Sequence, residues 1–352
     1  MKLLVGLIVI IATLNLSVAQ CAADGWRPTV KCQAIVALDG SGDFTSIQAA
    51  IDAAPSNSKD RYIIGVRNGV YREIIHVPAA KKNISLIGQS AEGTKISYSR
   101  YAGEINPANG KPFGTSGSSI VIINGEGFTA ENITFENSFD EATAAAGRQA
   151  VAVKTEADKL IFKNCRFIGN QDTLYARLYR QYFKDCYIEG DVDFIFSEAT
   201  AVFEDCVIHS VDRPGISPKG YITAASTNAN NPYGFVFLNC KLTADPGVGA
   251  NSVYLGRPWV PSSSTNPVYV RTVFIGCELG EHIKTEGWTS MSGNAPEDHF
   301  FREYQNTGPG ANTGHPLRKQ LTEEEAETYN IKEIFKSLNG VIDNWDPTIP
   351  VY

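Results

Sequence analysis

The sequence lacks the marks of several common enzyme and binding classes. It has no Gly-x-Ser-x-Gly elbow for a serine hydrolase and no His-Glu-x-x-His zinc motif. Its five histidines, His76, His209, His282, His299 and His315, stand at no metal-ligand spacing and read as surface or structural residues. Beyond the first residues, no apolar run approaches the roughly 20 positions that a membrane span needs. There is no run of five like charges outside the mixed C-terminal region, and the net charge is −7, so no basic face is on offer to nucleic acid. Neither a nucleic acid nor a membrane is an expected partner. The cysteines are odd in number (Cys21, Cys32, Cys165, Cys186, Cys206, Cys240 and Cys277), which excludes a fully paired disulfide scaffold.

What is present supports one exported domain. The 352 residues are 43% hydrophobic, enough for a sizeable core. Met1 and Lys2 lead into "LLVGLIVIIATLNL" and the small residues of "SVAQ", a secretory leader with cleavage expected near Ala19 or Gln20. Residues 1–20 are therefore assigned to the signal peptide and 21–352 to a soluble, secreted, monomeric domain. Export permits disulfides, and Asn83 in "NIS" and Asn132 in "NIT" are glycan acceptor sequons.

Short β-rich segments recur from about Val30 to Trp288. Five of them share an aromatic, two residues, a cysteine and an alternating apolar pair. The cysteine steps from Cys165 are 21, 20, 34 and 37 residues. A period near 20 with insertions, and without alternating helices, predicts an all-β solenoid: a right-handed parallel β-helix. Pro214–Pro232 and Pro258–Pro267 are expected to be projecting loops.

A solenoid must cover its open ends. In "FTSIQAAIDAAP", Ile47, Ala50, Ile51 and Ala54 share one helical face, with a capping box expected at Thr45 and Gln48. "LTEEEAETYNIKEIF" offers a second box at Thr322 and Glu325. Cys165, Cys240 and Cys277 read as core residues. Cys186 and Cys206 would lie on adjacent coils, about 4.8 Å apart, within disulfide reach, and a bridge is expected there and at Cys21–Cys32.

The stretch "NCRFIGNQDTLYARLYRQYFKDCYIEGDVDFIF" repeats an aspartate seven residues after a cysteine. One coil of 21 residues would stack Asp172 and Asp193 on a single outer face. Gln149, 22 residues before Gln171, and Arg257 would join them. At about 5 Å and an effective dielectric of 20, two carboxylates repel by roughly 3 kcal/mol, or about two pK units. One should hold a proton while Arg257 favours ionisation of the other. Amide donors suit an oxyanion, so acyl transfer is favoured over acetal cleavage. Calcium held by Asp172, Asp191 and Asp193 is a less natural reading beside glutamines and an arginine.

The segments "GDFTSIQAAIDAAP", "RQAVAV", "GNQDTLY", "GDVDFIF", "YLGRPW" and "EYQNTGPGA", in this order across most of the chain, resemble the pectin methylesterase family. "GYITAAST" is closer to its bacterial-type pattern. The resemblance implies a β-helix that hydrolyses methyl esters of polygalacturonate (pectin) to methanol and pectate, without a metal or organic cofactor. Asp193 would be the nucleophile, Asp172 the acid and then base, Gln149 and Gln171 the oxyanion site, and Arg257 the group keeping Asp193 ionised. Trp259, Trp288 and Phe196 would bind sugar. Two departures stand out: Ser197 replaces the family's glycine after "DFIF", and Asp191 replaces a small or uncharged residue. Asp191 would either share a face with Asp193 and raise its pKa or turn outward into solvent. No long inhibitory domain follows the leader, so activity is expected upon export. The rival readings are a chain-cleaving hydrolase or lyase on the same fold, and an inactive pectin-binding protein.

Overall fold

The alternating segments resolve into coils that each lay one short strand in each of three parallel sheets. A computed structural model of the chain describes Trp26, Pro28 and residues 30–352 except Pro214. The leader and Cys21 fall outside the described residues, and with them the expected cleavage site and the Cys21–Cys32 pair. The sheets hold ten, eight and seven strands, and their neighbours are almost all one coil apart in sequence. Thus Leu160–Lys163, Arg166–Ile168 and Leu174–Ala176 form one coil, and Arg180–Lys184, Tyr187–Gly190 and Val192–Ser197 form the next. This is the expected right-handed parallel β-helix. Among the described residues, no helix is long and apolar enough to cross a membrane.

The register reproduces the cysteine steps. Ile161 pairs with Tyr182, Tyr182 with Val202, Val202 with Val236, and Val236 with Val273. Inside, Phe162, Phe183, Phe203, Phe237 and Phe274 stack with ring centroids 4.9, 4.7, 4.6 and 4.2 Å apart. Such parallel stacking requires each coil to repeat the last without slipping. The residue before each cysteine explains how the chain turns from one sheet to the next. Asn164, Asp185, Asp205, Asn239 and Gly276 all adopt the left-handed region, at φ between 47° and 65°, which Asn, Asp and Gly tolerate best.

The expected Cys186–Cys206 bridge does not form, and both thiols are free and buried. In a parallel ladder, equivalent side chains point the same way and not at one another. Each sulfur instead donates to a carbonyl of the coil before it: Cys186 to Phe162 at 3.5 Å, Cys206 to Phe183 at 3.5 Å and Cys240 to Phe203 at 3.3 Å. Cys165 and Cys277 are likewise buried.

A helix, Ile47–Ala53, covers the first coils with Ile47, Ala50 and Ile51 turned inward. Its cap is Ser46, one residue later than expected, because Glu73 reaches the helix start and accepts from Ser46 Oγ and from the N–H groups of Ile47 and Gln48. Gln48 is thereby released to bond Asp52 and His76. The Thr322–Glu325 box is present and opens Glu323–Glu327. Part of the expected loop Pro214–Pro232 is in fact a strand, Gly220–Ala225, paired with Val192–Ser197 and Val253–Gly256. Asn83 and Asn132 both sit at left-handed turn positions. The Asn83 amide donates to Ser58 and Lys59 carbonyls, and the Asn132 oxygen accepts from Asn164.

Candidate active site

Two aspartates are brought together by register and aimed by the backbone. Leu174 pairs with Ile195 and Tyr175 with Phe196, so Asp172 and Asp193 occupy equivalent places on successive coils. The Asp172 N–H donates to the Val192 carbonyl at 3.0 Å. Both aspartates are left-handed, at φ 66° and 52°. In Val192–Ser197, Phe194 and Ile195 both enter the core although they are consecutive. A register shift between Val192 and Ile195 absorbs this. Such an irregularity re-aims its neighbours, and here it lets Asp193 and Phe196 both line a cleft of about 710 Å³. Gln149, Gln171, Asp172, Arg257 and Trp259 line the same cleft.

Asp172 and Asp193 are each only 7% exposed, so they form the cleft floor rather than the open face expected from spacing. Arg257 grips Asp193 with two parallel bonds, Nε to Oδ1 at 2.8 Å and Nη2 to Oδ2 at 2.6 Å. The guanidinium is held from its other side by the Tyr221 ring, 3.7 Å away. Burial raises the Asp193 carboxyl above its ordinary range, and the Arg257 bonds oppose that rise. Asp172 is raised well above its range, by burial first and then by the negative charge of Asp193, with Arg257 opposing and Asp191 adding to the rise. Desolvation therefore outranks the mutual repulsion that spacing alone suggests. The fork favours ionisation of Asp193 ahead of Asp172.

Aromatic walls complete the cleft. Tyr175 stacks on Phe196 at 4.3 Å, and Trp259 leans on Phe196 at 5.7 Å. The next coil places Ala224 opposite Phe196, whose ring is buried between Tyr175 and Trp259. Trp288 does not belong here. It pairs with Gly256, the residue before outward-facing Arg257, so strand alternation turns it inside. There it is 1% exposed and stacks on Phe301 at 4.4 Å. Tyr175, Arg177 and Glu198 also line the cleft and went unnoticed in the sequence, although Tyr175 stands between core residues Leu174 and Ala176 and so faces outward.

Ser197 has φ +96°, a conformation suited to glycine, and lines the cleft. Asp191 neither shares a face with Asp193 nor reaches solvent. It is 1% exposed and faces Glu141 and Arg213.

A buried carboxyl pair with a bidentate arginine thus sits beside two amides in an aromatic cleft of a parallel β-helix. A family model described as Pectinesterase matches residues 33–337, and the chain belongs to that family. It is 40% identical to Pectinesterase 31 of Arabidopsis thaliana over 83% of this chain and 88% of that protein. It is 39% identical to a pectinesterase of Daucus carota over 81% of this chain and 85% of that protein. Among solved structures, the pectin methylesterase PemA from Erwinia chrysanthemi superposes with a TM-score of 0.82 at 33% identity, covering 91% of this chain and all of that one. A pectin methylesterase in complex with a hexasaccharide superposes equally well, with a TM-score of 0.82 at 34% identity over 91% of this chain and 100% of that one. The chain is thus a pectinesterase, with similarity that runs to plant and bacterial members alike.

Proposed function

We propose that this pectinesterase de-esterifies methylated polygalacturonate through Asp193 as nucleophile and Asp172 as acid and base. The observation that carries this reading is the fork from Arg257 to both oxygens of Asp193, beside a buried Asp172 whose carboxyl is pushed well above its ordinary range. An Asp193 oxygen attacks the ester carbonyl carbon, and the carbonyl π electrons move to its oxygen. The amides of Gln149 and Gln171 donate to that oxyanion. As the tetrahedral species collapses, the C–O bond to the methoxy group breaks and Asp172 delivers its proton, so methanol leaves and an acyl-aspartate remains. Asp172, now ionised, takes a proton from water. The resulting hydroxide attacks the acyl carbon, and cleavage of the bond to Asp193 frees the polymer carboxylic acid, which gives its proton to solvent and becomes the carboxylate. The proton on Asp172 and the charge on Asp193 are both restored.

Tyr175 and Trp259 provide apolar faces for sugar rings, and the buried Phe196 ring between them backs both. Secretion after removal of residues 1–20 fits a substrate found outside cells, and Asn83 and Asn132 would then be open to glycan transfer. We read "GYITAAST" as a local bacterial-type pattern and infer no nearer kinship from it.

Methanol release from methylated pectin tests the assignment. Asp193→Ala should abolish it while the protein stays folded; substantial residual turnover would refute the nucleophile. Reducing ends or unsaturated uronides in place of methanol would select chain cleavage, and no product with tight pectin binding would select an inactive binder. The rate profile offers a second check. kcat/KM should rise as Asp193 loses its proton and fall only when Asp172 does, with the falling limb far above ordinary carboxyl values.

A further inference from the structure

Beneath the catalytic pair lies a second, unassigned set of charged groups. Asp191 has a side chain wholly out of solvent, and its Oδ1 accepts from the Val192 N–H at 2.5 Å. Its Oδ2 has no hydrogen-bond donor, and the same holds for buried Glu141 Oε2; Arg213 Nε lacks an acceptor in bonding geometry. Yet the three belong together, since Arg213 Nε lies 3.4 Å from Glu141 Oε1 and 3.6 Å from Asp191 Oδ2. Two buried carboxyls facing each other with one cation between them lack one positive charge, and a proton between their orphaned oxygens supplies it.

We propose that Glu141 and Asp191 share one proton and that Arg213 clamps them, so that the pair acts as a positioning unit for the catalytic strand and extends the upper pH limit of Asp172. The inference rests on the esterase reading for its activity arm alone. Asp191 is met from several sides, and its own N–H donates to the Asn170 carbonyl at 3.2 Å. Glu141 comes from the short helix Glu141–Thr143, in the loop that ends at Gln149. Arg213 comes from the segment joining Val207–Ser210 to Gly220–Ala225. Asp172 belongs to the preceding coil, and Tyr221 of the following coil donates its N–H to the Asp191 carbonyl at 3.0 Å.

Burial, then the charge and hydrogen bond of Glu141, push the Asp191 carboxyl from 3.8 up to about 7, with Arg213 opposing. A carboxyl raised on folding stabilises the native state fully below its unfolded value, and that contribution is lost as pH climbs to the folded one. The window here runs from 3.8 to about 7. Above it, ionised Asp191 adds negative charge near Asp172 and keeps Asp172 protonated to higher pH.

The test combines melting temperature and kcat/KM on methylated pectin, each followed across this pH range, for the wild type, Asp191→Asn and Glu141→Gln. Either amide supplies the missing donor without a titrating proton, so both variants should fold. Asp191→Asn should flatten the fall in melting temperature between acid and neutral pH. It should also move the alkaline limb of kcat/KM to lower pH. Glu141→Gln should shift the fall in melting temperature to lower pH. Melting curves with unchanged pH dependence in both variants, or failure of both to fold, would overturn the shared proton. An alkaline limb unmoved in Asp191→Asn would overturn its hold on Asp172. Absence of methanol release by the wild type would instead sink the esterase reading, and the melting arm would still decide the pair.

Discussion

Inside the helix, Phe162, Phe183, Phe203, Phe237 and Phe274 repeat one contact over five coils, whereas in the cleft Asp172 and Asp193 make a stack only two coils high. Both columns obey the same register, yet they use it differently. The interior column spreads its stabilisation over many equivalent rings, so each is one support among several. The cleft column concentrates buried charge, left-handed backbone and a strand irregularity within one coil step. A fold can carry such a costly pair because the redundant stack beside it holds the register. Changes in the cleft column should therefore alter rate with little effect on stability, and changes in the interior column the reverse.

The largest break in that contrast would come from Asp193→Ala. Methanol release should fall on the order of 10⁴–10⁶-fold, while circular dichroism retains the wild-type β signal. A collapsed fold would show that Asp193 serves the scaffold. Asp172→Asn should lower kcat by about 10²–10⁴-fold, and since it removes a buried carboxyl, its denaturant midpoint should not drop. Phe203→Ala should do the opposite, costing about 3–5 kcal/mol by denaturant unfolding with kcat/KM per folded molecule unchanged. A large rate loss there would mean that the columns are mechanically coupled. The smallest effect is expected at Ser197, where φ +96° suits glycine. Ser197→Gly should stabilise by up to about 1 kcal/mol, seen as a small rise in melting temperature, with the methanol assay unaffected.

The register was legible because a narrow core forces each coil to repeat its fillers, and five cysteines recorded those repeats. It carried with it the meeting of Asp172, Asp193, Gln149, Gln171 and Arg257 in one cleft. The Asn, Asp or Gly before each cysteine was equally visible, and its role became plain only once the left-handed turns were seen. Features that depend on which way one residue turns were not legible. Trp288 differs from a cleft residue by a single step of strand alternation, and Asp191 from a neighbour of Asp193 by one irregularity in the strand. The disulfide expectation failed for a related reason: closeness of backbones is readable from a period, but the direction of parallel side chains makes stacked sulfurs run side by side.

The protonation split between the stacked aspartates is tested most directly by carboxyl titration. It can be followed by NMR on aspartate-labelled protein and assigned with Asp172→Asn and Asp193→Asn. Asp172 should lose its proton well above the ordinary carboxyl range and after Asp193, and Asp193→Asn should lower the Asp172 midpoint. An Asp172 that titrates like a free aspartate near pH ~4, or that ignores the loss of Asp193, would contradict this split.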